Sequence, residues 1–191
     1  MNNINEAEIS NFIFEMRQLR EVKRSGWQLL GIPNKESVAE HSLRAAQIGF
    51  FLAHMEGGVD PLRVATMLVF HDIGEARIGD VHKVANRYIP ERLEGKAVRD
   101  QVKSLGQSGE VIQQLWNEVE ERNTAEGAIA KDADYLEAAF TAREFQVQGH
   151  LYAIDWIKNV DKSLRTASAK KLLIALQTTD PHEWWQGLKK M

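Results

Sequence analysis

The sequence lacks cysteine entirely and contains only four prolines among its 191 residues. Without cysteine the chain has no disulfide, no zinc site built on thiolates and no thiol nucleophile. The longest apolar stretch, residues 64–70, is far shorter than the roughly 20 residues that cross a bilayer. The polar segment 1–10 has no apolar run typical of a signal peptide. We therefore expect a cytoplasmic protein with no membrane partner.

The sequence also lacks an excess of positive charge. Its 24 basic and 27 acidic residues give a net charge of −3, so its overall charge does not attract a nucleic-acid polymer. The content of 43% hydrophobic and 27% charged residues is ordinary for a globular protein. Because 191 residues suit one domain with one core, we expect a single domain over 1–191.

Helix start signals are clear at two places. Ser37 and Glu40 have the spacing of a capping box, which predicts a helix from there to about Met55. Asp60-Pro61 pairs an N-cap residue with proline at the first helical position. Apolar residues also recur at helical spacing in a long segment, 124–148. No convincing strand alternation is present, so the sequence predicts an all-α helical bundle.

Polar residues occur where this pattern predicts a buried helix face. The apolar run 64–70 leads directly into His71 and Asp72, and His41 lies among the alanines and aliphatic residues of the preceding helix. Imidazole nitrogen and carboxylate oxygen together suit Mn, Co, Fe or Zn. The alternatives are that Asp72 begins a turn, that His71 caps the helix dipole, and that His41 is a hydrogen-bonded core residue.

Three carboxylates extend this set. Glu75 lies four residues after His71, where it could orient or deprotonate a water, or serve as an exposed partner of His71. Asp132 and Asp134 lie inside the long helix, although aspartate is a mediocre residue for a helix interior. Being two residues apart, they point to nearly opposite faces. At most one of them can serve a given site, and spacing alone does not select it.

A basic and an aromatic residue lie in the irregular segment 24–35. The Arg24 guanidinium could hold a phosphate with two hydrogen bonds, and Trp27 could stack on a base or a sugar. The alternative is a solvated cation followed by a core tryptophan.

Taken in order, these residues resemble the HD-domain metallophosphohydrolase superfamily. Its pattern is His, then His-Asp, then Asp, on separate helices of an all-α core. Here His41, His71-Asp72 and Asp134 match the pattern, because residues 133–136 are similar to the family's Ala-Asp-x-Leu element. Further segments resemble the branch of 5′-deoxynucleotidases related to the bacterial YfbR-type enzyme: 23–27, 36–42, 71–75 and 78–80. The motif-bearing core is then about 10–150, and about 151–191 is a helical extension.

The resemblance implies a cofactor and a reaction. One divalent metal ion, of identity left open among Mn, Co, Mg, Fe and Zn, would be held by the four matching side chains: His41, His71, Asp72 and Asp134. The substrate would be a deoxyribonucleoside 5′-monophosphate, and the metal would activate the water that attacks phosphorus. Arg24 would neutralise the phosphate, Glu75 would manage the proton of the water, and Asp80 would accept hydrogen bonds from the sugar hydroxyl. A homodimer is plausible for such a family.

The sequence departs from this branch directly after Asp80. Where related enzymes continue with a small or proline-containing segment, this chain has Val81, His82 and Lys83. Lys83 could contact a second phosphate, so a second hypothesis is a phosphohydrolase of the same superfamily acting on another nucleotide or phosphate ester. A third hypothesis is a metal- and nucleotide-binding module without turnover.

Overall fold

The computed structural model describes residues 5–89 and 93–188. Within those ranges it contains helices and turns but no β-strand. The α-helices are α1 (Glu6–Met16), α2 (Gln18–Glu21), α3 (Val38–Glu56), α4 (Pro61–Phe70), α5 (Glu75–Ile78), α6 (Lys83–Asn86), α7 (Leu93–Val102), α8 (Gly106–Glu121), α9 (Ala125–Val147), α10 (Ile154–Ser163), α11 (Ala167–Thr178) and α12 (Glu183–Gln186). Two 3₁₀-helices span Ser25–Leu30 and Leu151–Ala153. No helix in the described ranges is long and apolar enough to span a membrane.

The two helices with clear start signals begin where the sequence predicts. The Ser37 side chain accepts a hydrogen bond from the Glu40 backbone, and the Glu40 carboxylate accepts one from the Ser37 backbone, which completes a capping box at the start of α3. Asp60 accepts a bond from the Leu62 backbone at the start of α4, and Pro61 is its first residue. Both predictions are confirmed, because these caps satisfy backbone donors that every helix start leaves free.

Helix α9 is the centre of the bundle. Helices α3, α4, α8, α10 and α11 all pack against it, and it presents small and aliphatic residues that are completely buried. Where α3 meets α4, a Cβ on Gly49 would lie 2.3 Å from Leu68 Cδ1. The absence of a side chain at Gly49 therefore permits a close approach. This packing brings one end of α4 and the middle of α9 beside the first turns of α3.

Two segments expected to be irregular contain short helices. Ser25–Leu30 forms a 3₁₀-helix inside the expected loop 24–35, and α5 and α6 lie within 74–90. The reason is local in both cases. Gly31 ends the first segment at φ 69°, and Gly79 ends α5 at φ 76°. Because glycine adopts a positive φ without strain, each of these helices stops at its glycine after one or two turns. Pro90, used in that expectation, lies outside the described residues.

A single pair of backbone contacts ties the start of α3 to the segment before it. Lys23 and Ser37 form an isolated antiparallel bridge. The Arg24 amide donates to the Glu36 carbonyl at 3.0 Å, and the Val38 amide donates to the Val22 carbonyl at 3.0 Å. Arg24 is thereby fixed beside the first turn of the helix that carries His41.

Candidate metal centre

Four side chains from three parts of the fold converge at one point. His41 comes from α3, His71 and Asp72 from the turn that follows α4, and Asp134 from α9. The His41 Nε2 atom lies 3.3 Å from His71 Nε2, 3.2 Å from Asp134 Oδ1 and 3.5 Å from Asp72 Oδ2. His71 Nε2 lies 3.2 Å from the same Asp72 oxygen. The structure therefore brings together all four side chains that the family resemblance assigns to a metal.

Both imidazoles are fixed so that Nε2 faces this point. The buried His41 Nδ1–H donates to Glu137 Oε2 at 2.5 Å, and the buried His71 Nδ1–H donates to the Leu68 carbonyl at 2.7 Å. A histidine that ligates a metal commonly donates its other ring N–H to a carboxylate or a backbone carbonyl. The two histidines use one partner of each kind.

The spacing of the donor atoms fits a metal ion. Ligand atoms about 2.1 Å from a tetrahedral metal are separated from one another by roughly 3.4 Å, and the distances here run from 3.2 to 3.8 Å. Nitrogen and carboxylate oxygen suit Zn, Mn, Fe and Co. The donor set and its spacing therefore fit one divalent ion held by His41, His71 and Asp134, with Asp72 Oδ2 within reach beside both histidines.

Electrostatics at this point favour a cation. Burial disfavours charge on both carboxylates, yet the neighbouring cations outweigh it: His71 lowers the pKa of Asp72, and Lys131 with the two histidines holds the pKa of Asp134 well below its usual range. Burial likewise opposes a charged His71, but Asp72 and Asp134 raise its pKa well above its ordinary value. The carboxylates thus attract positive charge strongly, which a metal ion would supply.

Arg24 and Asp80 form a second group beside the cluster. Arg24 Nη1 lies 3.3 Å from Asp72 Oδ2 and donates to Asp80 Oδ1 at 3.0 Å. The other oxygen of Asp80 accepts from the Ser25 amide at 2.5 Å and from its hydroxyl at 2.7 Å. The guanidinium, with its side chain 19% exposed, is the cation that joins Asp80 to the metal-facing carboxylate of Asp72.

Glu75 lies near this guanidinium, with Oε1 4.0 Å from Arg24 Nη1. Burial, followed by the negative charges of Asp72 and Asp80, raises the pKa of Glu75 to about 10. Its Oε2 atom is buried and has no hydrogen-bond partner among the described residues. A buried carboxyl group with a free oxygen is suited to exchange a proton with a ligand.

The structure separates the two aspartates of α9. Asp134 belongs to the cluster, whereas Asp132 is completely buried elsewhere. Asp132 pairs with Arg122 and accepts bonds from the backbone of Arg165 and from the backbone and hydroxyl of Thr166. Asp134 therefore belongs to the metal-facing cluster, and Asp132 belongs to a separate hydrogen-bond network. The two residues lie on opposite faces of α9, as their spacing predicts.

Two residues expected to contact substrate make their contacts outside the cluster. Trp27 is 3% exposed; its ring stacks on Trp156 with centroids 5.3 Å apart, and its Nε1–H donates to Glu36 at 3.0 Å. This placement favours the alternative of a core tryptophan, and the stacking role stays a prediction. Lys83 is exposed, with its Nζ 6.0 Å from the ring centroid of Tyr135, the residue after Asp134.

Three polar residues near the cluster were not predicted from the sequence. Lys131 Nζ lies 3.2 Å from Asp134 Oδ2 and 2.7 Å from Glu120. Glu94 is half-buried, and burial together with the charge of Asp72 raises its pKa to about 8. Glu137 accepts the hydrogen bond from His41 Nδ1. Lys131 and Glu137 lie three residues on either side of Asp134, so helical spacing from a proposed ligand is the signal that could have found them.

Comparison with known proteins decides the family. Residues 16–172 match the sequence profile of the HD domain. The chain belongs to the HD-domain family. This confirms the resemblance read from the four clustered residues, and with it the all-α HD fold.

Relatives of this HD-domain chain carry consistent names. The 5′-deoxynucleotidase HDDC2 of Dictyostelium discoideum is 32% identical over 142 residues, which cover 70% of this chain and 75% of the relative. The 5′-deoxynucleotidase of Vibrio cholerae is 27% identical over 187 residues, covering 90% and 93%. A structure described as a predicted metal-dependent phosphohydrolase, from Magnetospirillum magnetotacticum, has a TM-score of 0.69 and 26% identity, covering 90% of this chain and 92% of that one. The resemblance to the deoxynucleotidase branch is thereby confirmed.

Proposed function

We propose that this HD-domain chain is a metal-dependent phosphohydrolase that converts deoxyribonucleoside 5′-monophosphates to deoxynucleoside and phosphate. The observation that carries the proposal is the position of Arg24, whose guanidinium contacts a carboxylate of the metal cluster at 3.3 Å and Asp80 at 3.0 Å. One cation therefore stands between a metal centre and a group able to bind a sugar hydroxyl. The names of the relatives from Dictyostelium and Vibrio support the same substrate class.

The metal site defines what the cofactor would contribute. A divalent ion held by His41, His71, Asp72 and Asp134, when bound, would lower the pKa of a water and offset negative charge on the phosphoryl oxygens. Its identity stays open among Mn, Co, Mg, Fe and Zn, because a set of nitrogen and oxygen ligands is permissive and metal availability decides.

The chain's own residues supply the remaining parts of the reaction. Arg24 binds and orients the phosphate through a planar, permanently charged fork. Burial and the charges of Asp72 and Asp80 raise the pKa of the Glu75 carboxyl to about 10, so it donates its proton to the leaving sugar oxygen as the bond from that oxygen to phosphorus breaks. The attacking water releases its own proton to bulk solvent. Asp80, held by Ser25 at 2.5 and 2.7 Å, accepts a hydrogen bond from the sugar.

Phosphate release from a panel of nucleotides tests the proposal. The protein is treated with a chelator and assayed with AMP, dAMP and other nucleoside mono-, di- and triphosphates after addition of Mn, Co, Mg or Zn. We expect metal-dependent release from deoxynucleoside monophosphates. His41→Ala should abolish release, whereas His54→Ala, on the same helix but exposed, should leave it intact. Release that does not require metal would contradict the proposal.

Lys83 favours one second candidate, a phosphohydrolase of longer phosphate chains. The exposed Lys83 ammonium lies 6.0 Å from the ring centroid of Tyr135, the residue after Asp134. The Lys131 ammonium lies 5.8 Å from the same centroid. Lys131 lies beside the cluster, 3.2 Å from Asp134 Oδ2, and a phosphate chain that extends from the cluster past Lys131 to Lys83 would meet two cations. Preferential release from di- or triphosphates, lost on Lys83→Ala, would select this candidate. Nucleotide binding without release from any phosphate would instead select a non-catalytic binding module.

Two expectations about the cellular form accompany the proposed activity. We expect the protein in the cytoplasm, and the family resemblance favours a homodimer. Nucleic-acid polymers and membranes are not expected partners.

A further inference from the structure

We propose that Glu137 and Arg44 form a buried support that fixes the orientation and raises the ligand strength of His41. The inference extends the metal site of the proposed function to two residues that do not themselves face the metal. Both are positioning residues, because they act on the site only through the His41 imidazole.

Glu137 is completely buried and both of its oxygens are engaged. Oε2 accepts from His41 Nδ1 at 2.5 Å. Oε1 accepts from Arg44 Nε at 2.8 Å and from the Thr141 hydroxyl at 3.1 Å. The carboxylate therefore lies behind the ring, on the side away from Asp72 and the other metal-facing atoms.

The support has the same spacing on both helices. Arg44 follows His41 by three residues on α3, and Glu137 follows Asp134 by three residues on α9. Residues three apart lie on one helix face, so each helix contributes one metal-facing side chain and one supporting side chain to the same contact. The α3–α9 packing thus assembles the ligands and their support together.

The two histidines of the cluster are supported unequally. His71 donates its Nδ1–H to the neutral carbonyl of Leu68, whereas His41 donates to an ionised carboxylate. Charge on the acceptor makes the hydrogen bond stronger and the imidazole a better electron donor. His41 is therefore the histidine whose metal bond depends most on its surroundings.

Arg44 is required because a buried carboxylate without a countercharge is very costly. Its guanidinium lies 2.5 Å from Glu137 and is anchored on the outside by Glu144 at 2.8 Å. It also lies 3.7 Å from Glu36. Glu36, His41 and Glu137 could by spacing alone hold a second metal, but the guanidinium supplies the positive charge there.

The test measures metal affinity directly, by calorimetric titration of chelator-treated protein with Co²⁺ or Zn²⁺ alone. Removing a supporting partner of this kind typically weakens metal binding about 10–100-fold, and we expect a loss in that range for Glu137→Gln. Glu144→Gln serves as the matched control, since it changes the partly exposed anchor of Arg44 and leaves the bond to His41 in place. A folded Glu137→Gln protein with unchanged affinity would overturn the inference, as would wild-type protein that binds neither ion.

A measurement on the wild-type protein covers the case in which Glu137→Gln does not fold. The long-range ¹H–¹⁵N spectrum of the Zn²⁺-loaded protein reports which ring nitrogen carries the proton. We expect the His41 proton on Nδ1, and a proton on Nε2 would overturn the inference. Because both readouts omit the nucleotide, a protein that binds metal in this way but hydrolyses no phosphate would refute the proposed function and leave the role of Glu137 intact.

Discussion

Glu75 differs from Asp72 and Asp134 in the direction in which its pKa is shifted. Asp72 and Asp134 lie against histidines and a lysine, so their pKa values are lowered. Glu75 is 8% exposed and faces other carboxylates, which together with burial raise its pKa to about 10. Two kinds of carboxyl group within one site suit a division between cation binding and proton transfer.

Replacing Glu75 with Gln tests this division. The amide matches the neutral carboxyl in shape and charge but cannot transfer a proton. Turnover should fall by about 10²–10⁴-fold, the usual contribution of general acid–base catalysis, while calorimetric metal affinity stays at the wild-type value. Turnover equal to wild type would remove Glu75 from the chemistry.

The same substitution changes how stability depends on pH. Between pH 4.5 and about 10 the unfolded chain has lost the Glu75 proton while the folded chain keeps it, so the free energy of unfolding falls as pH rises. In chelator-treated protein, Glu75→Gln should remove this loss. The variant should therefore become more stable relative to wild type as pH increases from 5 to 9 in denaturant titrations. An unchanged difference across that range would contradict the raised pKa.

At the scale of helices, the sequence predicts where a helix begins, but it does not predict which residues of two packed helices meet. Caps at Ser37 and Asp60 depend on neighbours in sequence, and both were predicted. The choice between Asp132 and Asp134 depended on a family pattern, because periodicity only shows that they face apart. Arg44 and Glu137 lie about 90 residues apart in the chain and meet through packing, which a single sequence does not reveal.

Gly127 marks a close approach between elements that tolerates no side chain. It lies in the first turn of α9, where a Cβ would be 2.2 Å from the Glu118 carbonyl oxygen of α8. A backbone oxygen cannot rotate away, so Gly127→Ala should lower the free energy of unfolding by roughly 1–3 kcal/mol, as overpacking does. Gly187→Ala is the matched control, because no atom lies within 4 Å of a Cβ there. Equal stability of the two variants by denaturant titration would refute the close approach.

At the scale of the whole molecule, the C-terminal helices share the core of the motif-bearing region. Ile157 and Val160 of α10 and Leu173 and Leu176 of α11 are buried in the same cluster as the residues of α9. Asp132 adds a polar link, since it binds the backbone of Arg165 and Thr166 ahead of α11. The boundary at about residue 150 therefore marks where the family motifs end, and we expect the chain on both sides of it to fold as one unit.

Calorimetry of the Asp132→Ala variant tests this expectation of one domain. Loss of Asp132 leaves Arg122 buried without its partner, and breaking such a pair costs about 3–5 kcal/mol. A single transition should shift downward as a whole, by roughly 10 °C for a chain of this length. Two separate transitions, of which only one moved, would show that the extension folds independently.

The bridge between Lys23 and Ser37 has a consequence for how the family can vary. It closes the segment 25–36 at its base, so Arg24 and the start of α3 keep their relative position whatever the length of chain between them. Ile32 is buried, but Pro33 and Asn34 form an exposed tip, where loops tolerate insertion. The number of residues between Arg24 and His41 can therefore vary among relatives, while the distance between the two side chains stays fixed. A search motif that demands a constant interval between them would overlook proteins that share this site.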